Sequence, residues 1–195
     1  MLAAWAAIQK TEELPPFGEA FYRHLQGYKG ARRNASSAVW NLLWLMLENR
    51  EIPADRRILT GEKPEIFFGR EIPPDRVLFA ESGKPYFEKL PYHFSLSHSK
   101  NLCAAALSDR PVGVDIENCR PSFKPHLVER SLAAAEKEAF DGDFTRIWCR
   151  KEAVAKMTGK GIIGFPSDID TTKYRFEERM IEYNGERYWL AATEA

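Results

Sequence analysis

Cysteine is scarce in this sequence of 195 residues: there are three, and no two of them form a CxxC pair. Cys103, Cys119 and Cys149 are widely separated and no histidines stand near them at zinc-binding spacing. Neither a disulfide framework nor a structural zinc site is therefore expected, and the scattered odd set reads as reduced thiols of a cytoplasmic protein. Net charge is also missing, because 28 Lys and Arg balance 28 Asp and Glu. Without a field of one sign the chain lacks the footprint of a nucleic-acid or membrane-surface binder, so any anion site must be local. No long hydrophobic run occurs. The apolar opening Met1–Ile8 has no basic flank and is too short for a signal peptide or a membrane span, and the run Val39–Leu47 is broken by Asn41. There is no Walker-type loop, no dinucleotide fingerprint and no convincing residue-level repeat.

What is present is globular: 44% hydrophobic residues, with five Trp and twelve Phe, are enough to build a real core. The length suits one domain or two small, closely packed halves. Pro15-Pro16 separates a short opening segment from a helical region, where Ala38–Leu47, preceded by Ser36 and Ser37, predicts a largely buried helix. Gly61, Pro64, Gly69 and Pro73-Pro74 mark a loop-rich stretch. Strand-like runs follow at Val77–Ala80, Phe94–Ser97 and Leu102–Leu107, then at Val112–Glu117 after the turn Asp109-Arg110-Pro111. Helical signals return at Ser131–Phe140, with Ser131 as N-cap, and at Phe144–Met157, stopped by Gly159. Asn184-Gly185 between Met180–Tyr183 and Arg187–Leu190 predicts a closing hairpin. The repeated order of helices then strands predicts an α+β fold of two similar halves, 1–109 and 110–195.

Four groups of residues carry chemistry. In Gly113-Val114-Asp115-Ile116-Glu117 a strand would turn Asp115 and Glu117 to one face and Val114 and Ile116 to a core. Neighbouring carboxylates repel unless a proton or cation lies between them, and hard oxygen ligands suit magnesium; two solvated residues on an edge strand is the competing reading. Trp148, Glu152 and Lys156 share a helical face, where a surface Glu–Lys pair is the plain alternative. Ser97-His98-Ser99 ends a strand and could donate to a phosphate, although a turn histidine is often structural. Gly83-Lys84-Pro85 offers a turn with one cation, and Lys29, Arg32 and Arg33 cluster before the long helix. No nucleophile–base–acid set of a hydrolase is evident.

Taken in order, Gly83-Lys84-Pro85, Phe94–Ser99, Gly113–Glu117, Trp148–Lys156 and Gly159-Lys160-Gly161 resemble the 4′-phosphopantetheinyl transferases. The length resembles their single-chain, pseudo-dimeric type. That resemblance implies two halves related by a pseudo-two-fold axis, each with helices packed on a small antiparallel sheet. It implies transfer of the phosphopantetheine arm of coenzyme A to a serine of an acyl or peptidyl carrier protein, with magnesium, or manganese in its place. Asp115, Glu117 and Glu152 would bind the metal. Glu152 would take the seryl proton, and Lys156 would steady the phosphates. Lys84, Pro85, Ser97, His98 and Ser99 would contact coenzyme A, and Arg33 with Lys29 or Arg32 would meet its 3′-phosphate. The type also implies a cytoplasmic monomer. A non-catalytic binder of coenzyme A or carrier, and a metal-dependent phosphohydrolase, remain alternatives.

Overall fold

Alternation along the first strand sets up the layers. Strand β1 (Leu2–Ala7) sends Leu2 and Ala4 to one face and Ala3 and Trp5 to the other, and all four are buried. A strand apolar on both faces must lie between two layers. The computed structural model describes residues 1–10, 14–48, 52–59, 76–120 and 122–195. In it β1 is a central strand of a four-stranded antiparallel sheet with β2 (Arg57–Leu59), β5 (His93–Ser99) and β6 (Leu102–Ser108), ordered β2-β1-β6-β5. Helix α1 (Glu19–Gln26) and the long helix α2 (Gly30–Leu47) cover one face through Phe21, Leu25, Val39, Trp40, Leu43 and Met46. A short hairpin, β3 (Val77–Phe79) with β4 (Pro85–Phe87), adds Val77 and Phe87 to the same cluster.

The other face of this sheet meets a second one. Strands β7 (Val112–Asn118), β8 (Glu177–Tyr183) and β9 (Glu186–Glu194) form an antiparallel sheet ordered β7-β9-β8. Val112, Val114 and Ile116 pack with Tyr188, Leu190 and Ala192 against Ala3, Trp5, Leu102, Ala104 and Ala106. The far side of the second sheet carries α5 (Phe144–Thr158), which contacts β7 and β9, after the short helices α3 (Pro125–Ser131) and α4 (Ala134–Glu138). The layers run helix, sheet, sheet, helix, an α+β arrangement. In both sheets the strand that enters first pairs with the one that enters last: β1-β6-β5 and β7-β9-β8.

The forecasts for β5, β6, β7, α5 and the closing hairpin agree with these bounds to within a few residues. Gly159 ends α5 in the left-handed region with φ 71°, and Asn184 and Gly185 turn the hairpin with φ 51° and 75°. Several readings need correction. Ser131 is the last residue of α3, not an N-cap; α4 is capped by Glu136, whose Oε2 accepts from the Ala133 amide at 2.7 Å. Ser36 and Ser37 lie inside α2, which starts eight residues before Ala38, at Gly30. The opening segment, read only as apolar, is β1. The loop-rich stretch from Gly61 to Pro74 lies outside the described residues. Among those described, all three cysteines are free thiols and no helix is long and apolar enough to cross a membrane.

Candidate active site

β7 delivers the carboxylates as alternation requires. Val114 and Ile116 enter the core between the sheets, while Asp115 and Glu117 face α5. Helix α5 lies close because Gly113 has no side chain: a Cβ there would stand 1.9 Å from the Ala153 carbonyl oxygen. The rotation of α5 is set on its buried side by Lys151. Its ammonium is fully enclosed, 2.5 Å from Glu136 Oε2, and also donates to the Ile169 carbonyl. Glu136 in turn accepts from the amide and hydroxyl of Thr171 at 3.0 and 2.6 Å. With Lys151 anchored there, Glu152 and Lys156 are left on the face toward β7.

Asp115 is 3% exposed. Its Oδ1 accepts from Lys156 Nζ and from Ser97 Oγ, each at 2.6 Å, whereas Oδ2 is buried with no partner among the described residues. An unpartnered buried carboxylate oxygen is costly, so the site is built to receive a donor or a cation. Glu117 accepts from Ser99 Oγ at 3.2 Å. Burial, then the charge of Asp115, push its pKa up to about 7, against the opposing effects of Ser99 and Lys156. Glu152 is raised as well, by burial and by Asp115, with Lys156 opposing. The three carboxylates thus repel one another, and Lys156 neutralises only part of their charge. The helical Glu152–Lys156 ion pair is superseded: the ammonium goes across to Asp115, 41 residues away in sequence.

Other predicted residues surround this centre. Lys84, in the turn between β3 and β4, donates from Nζ to the carbonyls of Lys156 and Met157 at 2.5 and 3.1 Å, so it caps the C-terminal end of α5. Burial lowers its pKa. His98 reaches solvent, yet the surrounding protein desolvates the ring enough to lower its pKa, and the Lys156 and Arg32 cations act the same way. Arg32, which also lies over the Tyr28 ring at 4.4 Å, is therefore a basic residue of α2 within electrostatic range of His98. Lys29, the N-cap of that helix, and Arg33 in its first turn are exposed.

Two cavities flank the carboxylates. One of about 260 Å³ is bordered by Lys84, Pro85, Glu152, Lys156 and Gly159. The other, about 470 Å³, runs from Glu117 past Trp148, Phe123, Leu127 and Phe165, with Arg120 and Arg130 beside it. Sequence reasoning missed Phe165 and Arg130, and took Ser95, which borders the smaller cavity, only as part of the motif Phe94–Ser99. Only for Ser95 was a signal present, the alternation of serines at 95, 97 and 99 with Phe94, Leu96 and His98. Among the described residues no group of three His, Cys, Asp or Glu side chains is gathered to hold a metal by itself. The donor set does suit a hard cation: Asp115 Oδ2 lacks a partner among the described residues, and the neighbouring glutamates are pushed toward protonation by burial and by the charge of Asp115.

The metal-free protein carries a pH signature of this strain. The fold raises Glu117 from the usual 4.5 to about 7, so its contribution to stability is full below 4.5 and is lost as pH rises through 7. Glu152, raised by the same causes, adds in the same direction. Thermal melts in EDTA are expected to fall between pH 5 and about 8, and Glu117→Gln is expected to flatten that decline. A wild-type melting temperature that rises over this range would contradict the geometry.

The fold and site define an α+β protein with a buried carboxylate–lysine cluster at the seam of two sheets. Residues 111–192, which include all of this cluster's carboxylates and Lys156, match the family model described as the 4′-phosphopantetheinyl transferase superfamily. Among curated proteins, the chain is similar to 4′-phosphopantetheinyl transferase psf-1 of Bacillus pumilus, 36% identical over 121 residues that cover 55% of this chain and 52% of that protein. It is similar to 4′-phosphopantetheinyl transferase AcpT of Escherichia coli K12, 38% identical over 98 residues, 45% of this chain and 50% of that one. Likeness to 4′-phosphopantetheinyl transferase Sfp of Bacillus subtilis 168 is 33% over 90 residues, 42% and 40% of the two chains. The chain spans about half the length of the curated relatives it matches. Over residues 111–192 the chain is similar to the 4′-phosphopantetheinyl transferase superfamily.

Proposed function

We propose that the protein transfers the 4′-phosphopantetheine group of coenzyme A to a serine of an apo acyl or peptidyl carrier protein, releasing adenosine 3′,5′-bisphosphate. The observation that carries this reading is Asp115, a buried carboxylate with Lys156 on one oxygen and no described partner on the other, lying in the segment of the family match. Asp115, Glu117 and Glu152 would hold magnesium, or manganese, together with substrate oxygens, as suits an ion that normally takes one or two carboxylates plus phosphates and water. When bound, the ion supplies neutralisation of the pyrophosphate charge. Glu152, whose affinity for a proton is raised, takes the proton from the carrier serine. A bond forms from the serine oxygen to phosphorus as the bond to the departing bisphosphate oxygen breaks, and that oxygen keeps the electron pair. Lys156 is the fixed cation beside the charge that develops there.

On this reading coenzyme A occupies the smaller cavity beside Lys84, Pro85 and Lys156, with Ser97, His98 and Ser99 on the adjoining strand. Arg32, Arg33 and Lys29 face its 3′-phosphate. The chain divides into a coenzyme-side half, 1–109, and a carboxylate-bearing half, 110–195, related by a pseudo-two-fold axis; the shared strand order of the two sheets supports this. The protein acts as a cytoplasmic monomer. The carrier docks at the larger cavity, where Leu127 and Phe165 are 47% and 57% exposed; Arg120 on its wall and the exposed Lys124 of the following segment offer charge to an acidic partner. Replacing Arg120 and Lys124 together by glutamate is expected to raise KM for the carrier roughly tenfold and leave KM for coenzyme A unchanged. Unchanged carrier kinetics would remove the docking site from this face.

Chromatography of the small-molecule products tests the reaction class. Adenosine 3′,5′-bisphosphate should appear only when coenzyme A, magnesium and an apo carrier are all present. Release without carrier would mark a phosphohydrolase, and metal-dependent binding of coenzyme A without release would mark a binder.

A further inference from the structure

β9 pairs with only one edge of β7. The amides of Val114, Ile116 and Asn118 point to the other edge, as alternate amides of a strand do. Among the described residues no strand pairs with them there. Instead Ser95, Ser97 and Ser99 of β5 accept from them through their hydroxyl oxygens, at 3.0, 3.4 and 3.0 Å. A seryl hydroxyl has one proton besides its two lone pairs. Ser97 gives that proton to Asp115 Oδ1 at 2.6 Å, and Ser99 gives its own to Glu117 Oε2 at 3.2 Å.

We infer that Ser97 and Ser99 are positioning residues, holding Asp115 and Glu117 in their working orientation by a hydroxyl ladder that also joins the two sheets. The inference rests on the transferase reading for its consequence, not for its geometry. β5 is itself fixed to β6 in a continuous register from His93↔Ser108 to Ser99↔Leu102, so the hydroxyls cannot slide along β7. Ser97 on one side and Lys156 on the other clamp Oδ1 of Asp115, which determines where Oδ2 is presented. A phosphate needs donors, and the single proton of Ser97 is already given to Asp115. That assigns Ser97 a role other than the direct coenzyme contact implied by resemblance. Ser95, which also borders the smaller cavity, provides an internal control for the ladder alone. It accepts from Val114 like its neighbours, but the site-facing residue beside it on β7 is Gly113, which has no carboxylate to orient.

The test compares Ser95→Ala, Ser97→Ala and Ser99→Ala in the full chain. Ser97→Ala is expected to lower kcat roughly 10–100-fold, with KM for coenzyme A changed by less than about threefold. Ser99→Ala should lower kcat roughly tenfold. Amide hydrogen exchange reads the ladder independently of activity: Val114 should exchange faster in Ser95→Ala, Ile116 in Ser97→Ala and Asn118 in Ser99→Ala. A raised KM for coenzyme A with unchanged kcat in Ser97→Ala would overturn the inference in favour of a direct contact. Faster exchange with unchanged kcat in Ser97→Ala would reduce the hydroxyls to a structural seam, and unchanged exchange would remove the ladder. Absence of transfer by the wild-type protein would sink the transferase reading, and the positioning role with it. The exchange rates would still decide the ladder.

Discussion

Asp115→Asn should lower transfer by roughly a thousandfold while the protein stays folded. The side chain keeps its size, and its amide oxygen can still accept from Ser97, so the packing between β7 and α5 is retained. What disappears is the charge. Asp115 is the carboxylate on which Lys156 and the repulsion felt by Glu117 and Glu152 converge. Without it a bound cation would lose its most buried carboxylate, and stabilisation of developing phosphate charge, a contribution of several kcal/mol, would go with it. Lys156 retains access to water, with 30% of its side chain exposed, so its unpaired ammonium should not unfold the protein. The measurement is initial rate of transfer alongside a thermal melt. A rate within about threefold of wild type would place the chemistry elsewhere.

The second large effect is on the fold. Gly113→Ala is expected to destabilise the protein by about 3 kcal/mol or more, at or beyond the upper end for overpacking. The added Cβ would lie 1.9 Å from Ala153 O, 2.7 Å from Met157 N and 2.9 Å from Ala153 C. All three are backbone atoms of α5, so no side chain can swing aside; the helix must move. That helix carries Glu152 and Lys156, so transfer should fall with stability. Against a typical total of 5–15 kcal/mol, such a loss is visible as a lowered midpoint in urea denaturation. An unchanged midpoint would mean that β7 and α5 do not approach so closely.

Much of this was legible because some segments are governed by local rules. Gly113–Glu117 alternates polar and apolar residues, and a strand must separate them. Phe144–Thr158 has helical spacing and ends on Gly159, whose positive φ is the ordinary stop for a helix. What was not legible depended on tertiary partners. Leu2–Ala7 is rich in alanine and lacks the β-branched residues that mark strands, yet burial on both faces makes it a central strand. Lys151 and Glu152 look alike as charged helix residues. Only the buried Glu136, 15 residues away, turns one inward and leaves the other facing the site. Lys156 at i+4 from Glu152 suggested a surface pair, and only the proximity of β7 redirects it to Asp115. The serines of β5 show a polar face in sequence, but not that the face meets the edge of another sheet.

The measurement that tests the central claim most directly is the intact mass of an apo carrier protein after incubation with this protein, coenzyme A and magnesium. The account predicts a gain of one phosphopantetheine group, absent with EDTA and absent with Asp115→Asn. No gain on any of several acyl and peptidyl carriers, from protein shown to be folded, would contradict it.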